Sequence, residues 1–534
     1  QFSSNGSKVV PPDKAADLIY AVIRSGDRVA IEGNNQKQAD CLARTLAGLD
    51  PKRINGLHMV QSSVSLPEHI AVFDRGIAHD LDFAFSGPQA KELARIVNEG
   101  KVKIGAIHTY LELFGRYFVD LTPRVSLVAA ELADASGNLY TGFNTEETPT
   151  IVEATAFKQG IVIAQAREIS EKLPRVDIPG DRVDFVIPCS SSPYIEPLFT
   201  RDPAKITELQ IFMAMLALKG IYLPYMVTNL NHGIGYGTAA IELLLPTYGE
   251  TLGLKGKACT HWILNPHPSL IPAIETGFVQ SVHSFGSEPG MEDYVRARGD
   301  IFFNGADGSM RSNRLLSQVA GLYASDMFVG LTLQIDENGN SSTATANRIA
   351  GFGGAPNLGD NPGGRRHVSG AWLKAGQEDT LSTHGTGGLP RGRKLVVQIT
   401  STKSEKKGIP VFVEKLDAEK LFEGGFFSLP PVMIYGDIIT HIVTEKGIAV
   451  LHRCPDIDTR RAAIRAVAGD TPVGRKEKKA ETEKLRNEKI VFYPEDIGVE
   501  REDARHSLLA ARSIDDLVTA SGGLYKPPAR FLKG

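Results

Sequence analysis

Three short segments of the chain combine residue types that could carry chemistry. The first, NHGIGYGT, follows a predicted strand and contains Asn231, Gly233 and Gly235. Closely spaced glycines let backbone N–H groups approach a ligand, and the N-terminus of the helix that follows favours negative charge. The segment is not the dinucleotide-binding GxGxxG pattern, because Thr238 occupies the position of the third glycine, nor a P-loop, because no Gly-Lys-Ser/Thr sequence follows. From composition alone, a ligand-binding loop and an ordinary tight turn are equally good interpretations.

The second segment, IAGFGGAPNLG, contains Gly351, Gly353 and Gly354 and follows a polar run that ends in Asn347 and Arg348. Consecutive glycines after a strand can point amide N–H groups into a cleft. Such donors suit the oxyanion formed when a thioester carbonyl is attacked, and losing one of them typically costs ~10²–10³ in rate. Gly353 and Gly354 are therefore candidate oxyanion donors, although a plain loop is again an equal alternative.

The third segment, HSFGSEPGMEDY, places Glu288 between two glycines. A carboxylate in such a turn can project toward a cavity. A lone glutamate in a loop is usually solvated, however, so this residue is a weak candidate when it is considered alone.

Other kinds of site find little support. His261 and His267 lack the HExxH spacing and a companion acid, which argues against a metal site, and no GxSxG elbow is present. The cysteines are far apart and form no CxxC pair, so we expect neither a disulfide framework nor a zinc site, which fits a reducing cytoplasm. They are Cys41, Cys189, Cys259 and Cys454.

The composition is that of a soluble globular protein, with 534 residues, 42% hydrophobic and 23% charged. The 59 basic and 62 acidic residues nearly balance, so no general attraction to nucleic acid is expected. No apolar run reaches the ~18 residues that would suggest a membrane span, and the first residues do not resemble a signal peptide.

Short apolar runs alternate with amphipathic stretches along the chain, which is typical of a mostly parallel sheet with helices on both faces. A strand and a helix are predicted at residues 26–33 and 38–49, and the same order recurs at residues 225–245. Prolines and charges cluster at residues 193–203, which predicts a linker. We therefore expect two α/β domains and a helical C-terminal extension, with bounds 1–196, 197–455 and 456–534.

Together, the three segments resemble motifs of the coenzyme A transferase superfamily, and they occur in the same order. NHGIGYGT is similar to its Asn-x-Gly-Ile-Gly-x-Pro-Thr turn, with Gly237 in place of the proline. SEPG resembles the Ser-Glu-Asn-Gly motif whose glutamate attacks the acyl thioester, with Pro289 in place of the asparagine. GFGGA resembles the element that supplies oxyanion donors. The resemblance implies that Glu288, Gly353 and Gly354 are catalytic.

Longer blocks are similar to the malonate decarboxylase alpha subunit family, from about Glu32 to the C-terminus. They include LPEHIAVFDRGIAHDLDFAFSGPQA, NLYTGFNTEETPTIVEATAF, EPLFTRDPAKITE and SGGLYKPPARF. This resemblance implies an α/β fold of two open, mostly parallel-sheet, coenzyme A transferase-like domains with the active site at their interface. It also implies partners, namely an acyl carrier protein that bears a phosphoribosyl-dephospho-coenzyme A prosthetic group and separate decarboxylase subunits.

The implied reaction transfers the carrier thiol from acetyl-carrier to malonate, giving malonyl-carrier and acetate. It needs no metal and no cofactor bound to this chain, but positioning of the reactants is worth up to ~7–11 kcal/mol. Either malonate attacks acetyl-carrier directly to form a mixed anhydride, or Glu288 first forms an acyl-enzyme. The sequence leaves both routes open. Arg311 and Arg348 are candidates to hold the second carboxylate of malonate with two hydrogen bonds, although a surface ion pair is the commoner role of an arginine.

Two other functions are open alternatives. One is a free-standing coenzyme A transferase, since coenzyme A thioesters could replace the loaded carrier in vitro. The other is a non-catalytic scaffold that docks the carrier for the decarboxylase subunits. The intact glycine loops and Glu288 argue against a scaffold. The isolated chain could also form a homo-oligomer.

Overall fold

The structure of the chain, a computed structural model, consists of helices packed on two large sheets. Within the described residues, each of these sheets has eight strands. The predicted α/β class with two mostly parallel sheets is therefore confirmed. The described residues are 6–33, 37–143, 147–284, 286–303, 319, 325–359 and 394–532.

The first sheet is built from the N-terminal part of the chain. Its strands, together with two short strands outside it, are β1 (Arg28–Ile31), β2 (Lys37–Gln38), β3 (Leu57–Ser63), β4 (Ala78–Phe85), β5 (Lys103–Ile107), β6 (Val125–Ala133), β7 (Leu139–Tyr140), β8 (Ile161–Ile169), β9 (Phe185–Pro188) and β10 (Tyr194–Ile195). The order is β5-β4-β3-β1-β6-β8-β9, with β7 paired to β6, and β2 pairs separately with β10. Strands such as β6 are almost continuously apolar because helices cover both faces of a parallel sheet.

The second sheet repeats this design. The strands of the C-terminal part are β11 (Asn229–His232), β12 (His261–Ile263), β13 (Ser281–His283), β14 (Met327–Gly330), β15 (Gln334–Ile335), β16 (Ser341–Ser342), β17 (Ala344–Thr345), β18 (Arg348–Ile349), β19 (Leu395–Ile399), β20 (His441–Thr444), β21 (Gly447–Val450) and β22 (Val491–Phe492). The order is β13-β12-β11-β14-β19-β20-β21-β22. The pairings are parallel except at β20–β21 and β21–β22.

The α-helices cover both sheets. The helix at Glu208–Ala217 begins with a capping box, in which Thr207 Oγ1 accepts from Gln210 N at 3.3 Å and Gln210 Oε1 accepts from Thr207 N at 3.1 Å. The bounds of the helices are Ala15–Val22, Asp40–Ala47, Pro67–Asp74, Ala90–Asn98, Tyr110–Val119, Thr148–Phe157, Glu208–Ala217, Leu223–Tyr225, Tyr236–Leu244, Ile271–Glu275, Glu292–Ala297, Ala355–Leu358, Asp417–Glu423, Ile457–Val467, Lys479–Asn487 and Ile514–Ala520.

The C-terminal segment, expected to be a helical extension over residues 456–534, is only partly separate. Most of its regular structure is helical, but β22 adds an antiparallel strand to the edge of the second sheet. Its last described residues then return to the main body of the protein. The segment therefore contributes to the second sheet as well as extending beyond it.

The expectation that no disulfide would form is wrong for one pair of cysteines. The structure joins Cys41 to Cys189, whose Cα atoms lie 6.6 Å apart although 148 residues separate them in sequence. Cys41 lies in the helix that follows β2, and Cys189 directly follows β9. Because the fold brings these distant segments together, a search for closely spaced cysteines could not detect the pair.

Candidate active site

A cavity of about 760 Å³ is lined by residues from both halves of the chain. Phe85, Gly87 and Tyr110 come from the first half, while both predicted glycine segments come from the second. The halves are joined beside the cavity, where Ser86 N donates to Ala350 O at 3.0 Å. Small-molecule sites commonly have volumes of ~300–1,000 Å³, so the cavity has the size of a substrate site.

The first glycine segment forms the wall of the cavity at the end of β11. Asn231, Gly233 and Gly235 all line it. Gly233 N donates to Val329 O at 2.8 Å, so this N–H group is already used within the protein. A Cβ at Gly235 would lie 2.8 Å from the Leu331 side chain, which shows how closely the turn packs. The segment therefore serves both as a tight turn and as part of the cavity wall.

The second glycine loop docks on the end of β4. Gly351 has φ +74°, and a Cβ there would lie 2.6 Å from Ala84 O, so only glycine fits. Phe352 N and Gly353 N both donate to Ala84 O, at 2.7 and 2.9 Å. Gly354 N has no backbone acceptor in the described part of the chain. Of the two predicted donors, Gly354 is the one that this arrangement leaves for a ligand.

Glu288 is fully buried in the turn after β13. Its Oε1 accepts hydrogen bonds from Phe199 N at 3.2 Å, Thr200 N at 2.9 Å and Thr200 Oγ1 at 2.8 Å, while Oε2 has no partner among the described residues. Burial raises the pKa of Glu288 to about 8, although these hydrogen bonds and the charge of Arg201 act in the opposite direction. Phe199 and Thr200 line the cavity, and Glu288 lies directly behind them.

Arg201 supplies a positive charge to the cavity wall. Its guanidinium donates to Leu198 O at 2.7 Å and Thr200 O at 2.8 Å and lies 5.7 Å from the Tyr236 ring. Burial lowers the pKa of Arg201, and nearby Tyr236 and Glu288 offset part of that shift. Within the described residues it forms no ion pair. Because a half-buried cation without a counter-ion is incompletely solvated, this position favours an anionic ligand.

A second buried glutamate, Glu242, organises a cluster of polar side chains. Its Oε1 lies 2.9 Å from His232 Nδ1 and 3.0 Å from His267 Nδ1, and Ser269 Oγ donates to Oε2. Burial acts to raise the pKa of Glu242, but His267 and His232 hold it well below its usual value. Tyr222 Oη lies 2.6 Å from His232 Nε2. His267 lines the cavity, so this cluster extends from the core to the ligand site.

The end of the chain closes the site around Glu288. Tyr525 Oη lies 3.3 Å from Thr200 Oγ1, and Lys526 N donates to Gly290 O at 2.9 Å. Gly290 has φ +86°, and a Cβ there would lie 1.9 Å from Lys526 O, so the turn requires glycine. Arg530 lines the cavity. The C-terminal segment therefore supports the turn and forms part of the wall.

Of the remaining predicted residues that the structure describes, only one is found in the cavity lining. Arg348 is exposed and lines the cavity. Asn347 is also exposed, in the turn between β17 and β18, and is not part of the cavity lining. Arg311 lies outside the described residues. Among the residues that the structure describes, no group of three metal-binding side chains is found and no helix has the length and apolarity needed to cross a membrane.

Sequence reasoning missed several residues of this site. Arg201 and Arg530 lie in blocks that carried the family resemblance, EPLFTRDPAKITE and SGGLYKPPARF, but neither was assigned a role. In the sequence, His267 has no companion acid nearby, so the local pattern argues only against a metal site there. Its acid is Glu242, which is 25 residues away in sequence and is brought close by the fold.

Comparison with known proteins agrees with this architecture. A family model described as malonate decarboxylase, alpha subunit, transporter matches residues 2–533. A protein of Malonomonas rubra named acetyl-S-ACP:malonate ACP transferase is 61% identical over 525 residues, which cover 98% of this chain and 95% of the relative.

Solved structures show the same likeness. A crystal structure of a Pseudomonas malonate decarboxylase hetero-tetramer in complex with malonate matches with a TM-score of 0.90 and 54% identity, covering 98% of this chain and 95% of the matched chain. An acyl-CoA transferase of Escherichia coli O157:H7 matches with a TM-score of 0.53 and 12% identity, covering 84% and 88% of the two chains, and shares the fold. Since the family model spans almost every residue, the chain belongs to the malonate decarboxylase alpha subunit family.

Proposed function

We propose that this chain is an acyl carrier protein transferase that moves the carrier thiol from acetyl-carrier to malonate, giving malonyl-carrier and acetate. One observation carries the proposal: Arg201, a cation that forms no ion pair within the described residues, lies in the same cavity wall as the glycine loop that contains Gly354. Malonate is a dianion, and a thioester under attack develops an oxyanion. The name and 61% identity of the Malonomonas rubra relative support the same activity.

The exchange prepares malonate for decarboxylation elsewhere. A free malonate dianion is poorly suited to lose CO₂, whereas the thioester carbonyl of malonyl-carrier can delocalise the carbanion that results. The transferase itself has to bring a carboxylate to a thioester, stabilise the tetrahedral oxyanion and keep the thiol nearby for the return step. None of these tasks requires a metal or a cofactor bound to this chain.

In the proposed complex, Arg201 binds one carboxylate of malonate and the other attacks the acetyl thioester carbon. Gly354 N–H donates to the oxyanion that develops. The C–S bond then breaks and leaves an acetyl-malonyl anhydride, whose malonyl carbonyl is attacked by the carrier sulfur as acetate departs. Arg348, which is exposed in the same wall, is the alternative anchor for malonate.

We favour this direct route over an acyl-enzyme on Glu288. A pKa of about 8 leaves the carboxyl of Glu288 mostly protonated at neutral pH, and a protonated acid is a poor nucleophile. The side chain is fully buried and forms no part of the cavity lining. Glu288 therefore supports Phe199 and Thr200 in the wall and need not move during transfer.

The proposal implies partners. The acyl chain is carried on the phosphoribosyl-dephospho-coenzyme A group of an acyl carrier protein, and separate decarboxylase subunits consume malonyl-carrier. The hetero-tetrameric Pseudomonas relative supports assembly with other subunits. We also assign the reaction to the cytoplasm and propose two domains, 1–196 and 197–455, with the active site between them.

The decisive experiment mixes the purified chain with malonate and either acetyl-carrier or acetyl-coenzyme A. We expect malonyl thioester and acetate to form without release of CO₂. Mass spectrometry of the thioesters and trapping of labelled CO₂ measure both products. Rapid CO₂ release by the pure chain would contradict the division of labour between subunits.

The same assay separates the alternatives. A free-standing coenzyme A transferase would prefer acetyl-coenzyme A to acetyl-carrier, whereas the proposed enzyme should prefer the carrier. A scaffold would exchange neither donor. An Arg201→Met chain is the matched control, because it should keep the fold and lose transfer to malonate.

A further inference from the structure

His267 lines the cavity, and one of its ring nitrogens is held by a carboxylate in the core. The side chain is 5% exposed and lines the cavity. Its Nδ1 lies 3.0 Å from Glu242 Oε1, whereas its Nε2 has no hydrogen-bond partner among the described residues. The ring stacks on Phe199 with 5.2 Å between centroids, and Phe199 N donates to Glu288. The His267 ring, whose Nε2 is buried and unpartnered among the described residues, therefore lies in the wall of the proposed thioester site.

The hydrogen bonds around Glu242 indicate where the protons lie. An ionised carboxylate only accepts, so His232 and His267 must both carry a proton on Nδ1. The hydroxyl of Tyr222 can then donate to His232 Nε2, which completes the hydrogen bonds of a neutral His232. His267 Nε2 has no such hydrogen bond within the described residues, and His267, unlike His232's partner Tyr222, belongs to the cavity lining.

We propose that His267, oriented by Glu242, is a catalytic acid–base residue that protonates the departing sulfur of the acyl thioester and takes the same proton back from the thiol. An imidazole that lines a cavity and is oriented by a buried carboxylate is a recurrent arrangement for proton transfer. This inference rests on the proposed transferase function and assigns a residue to its proton transfers.

The two half-reactions balance. In the first, a malonate oxygen forms a bond to the thioester carbon, the C–S electron pair passes to sulfur, and the sulfur takes the proton of His267 Nε2–H. The products are the mixed anhydride, the carrier thiol and neutral His267. In the second, the thiol sulfur attacks the malonyl carbonyl and its proton returns to Nε2, while acetate leaves with the electron pair of the C–O bond. No proton is gained or lost overall.

The test compares two acetyl donors that differ in one atom, acetyl-coenzyme A and its selenium analogue. A selenolate is a much better leaving group than a thiolate and departs without needing a proton. In the full-length chain, His267→Gln keeps a polar side chain but cannot transfer a proton. We expect kcat/KM with the thioester to fall by ~10²-fold or more, the usual worth of general acid catalysis. With the selenoester the loss should be less than ~10-fold.

The matched controls address folding. His441 is another fully buried imidazole whose Nε2 has no partner among the described residues, but it is not part of the cavity lining. The ratio of kcat/KM with the selenoester to kcat/KM with the thioester should be about the same in His441→Gln as in the wild-type chain. Glu242→Gln provides a second test if His267→Gln does not fold, because it removes the carboxylate and should show the same preference for the selenoester.

Each outcome is decisive. Selective loss with the thioester supports the proposal. Equal losses with both donors in either variant would mean that His267 only shapes the cavity, and no loss in His267→Gln would remove it from the reaction. If the wild-type chain exchanges neither donor nor acetyl-carrier, the proposed transferase function fails instead, which is a separate result.

Discussion

Two fully buried glutamates near the cavity have opposite electrostatic surroundings. Glu242 receives hydrogen bonds on both oxygens, from two imidazoles and a hydroxyl, and the pKa of its carboxyl lies well below its usual value. Glu288 receives all its hydrogen bonds on one oxygen, while the other has no partner among the described residues. Burial raises the pKa of Glu288 to about 8.

Burial alone therefore does not decide whether a carboxyl group is charged. Desolvation disfavours the carboxylate in both residues, and each accepts three hydrogen bonds, but only Glu242 has two imidazoles beside it, whose interactions lower its pKa despite burial. Glu242 is therefore an ionised anchor for His267. Glu288 is a mostly neutral support of the cavity wall at pH 7.

The comparison is tested most strongly by Glu242→Ala. The substitution leaves two buried imidazoles and the Ser269 hydroxyl without their acceptor. Breaking a buried ionic cluster in this way typically costs ~3–5 kcal/mol, so the free energy of unfolding should fall by about that amount. Urea denaturation measures it. Glu288→Gln is the matched control and should be no less stable than the wild-type chain at pH 7. If both variants lose similar free energy of unfolding, the two glutamates do not differ in the way described.

Arg201→Met should weaken malonate binding by about 30-fold or more, because truncating one partner of a desolvated charge pair typically costs ~2–5 kcal/mol. The effect on acetate should be smaller, since acetate has no second carboxylate. Titration calorimetry with both acids provides the measurement. The control is Arg348→Met, which removes an exposed cation from the same wall. If Arg348→Met has the larger effect, Arg201 is not the malonate anchor.

Glu288→Gln should slow transfer by no more than about 10-fold, because an amide resembles the protonated carboxyl and the change perturbs roughly one hydrogen bond. No acyl adduct should form on the wild-type chain with acetyl-coenzyme A alone. Trapping with hydroxylamine followed by peptide mass spectrometry tests this directly. An adduct located at Glu288, with almost complete loss of activity in the glutamine variant, would establish the covalent route.

The contrast between the two glutamates can also be tested by varying pH. The pKa of Glu288 is raised from 4.5 to about 8, so the native protein retains a proton that the unfolded chain releases. Stability should therefore decline as pH rises from 4.5 toward 8, with a slope of at most about 1.4 kcal/mol per pH unit. Glu288→Gln should remove this decline when unfolding is measured across that range. The depressed pKa of Glu242 has the opposite sign, so its contribution is lost as pH falls through the acidic range.

Local patterns were sufficient for much of the fold. Residues 26–33 and 38–49 predicted a strand and a helix, and the structure contains β1 (Arg28–Ile31) and a helix at Asp40–Ala47. The same strand-then-helix order was predicted at residues 225–245, where the structure contains β11 and the helix Tyr236–Leu244. These predictions succeeded because apolar periodicity and glycine turns are properties of neighbouring residues.

The site was predictable only in part. Glu288 and the glycine loops stand out because glycine and turn chemistry are visible in a short window. The partners of Glu288 were not visible, since Thr200 lies 88 residues away. The sequence also did not show which of the two predicted oxyanion donors stays accessible. That depends on a hydrogen bond from Gly353 N to Ala84 O, which belongs to the N-terminal half of the chain.

The α/β class, the family and the segments in which chemistry could occur can be read from the sequence alone, because each depends on local pattern or on long blocks of similarity. The tertiary structure decided which distant residues act together: Glu242 with His267, Arg201 with Glu288, and Cys41 with Cys189. Hydrogen bonding, desolvation and charge act through space over a few ångströms. Their consequences for pKa and accessibility appear only when the packed surroundings of each side chain are known.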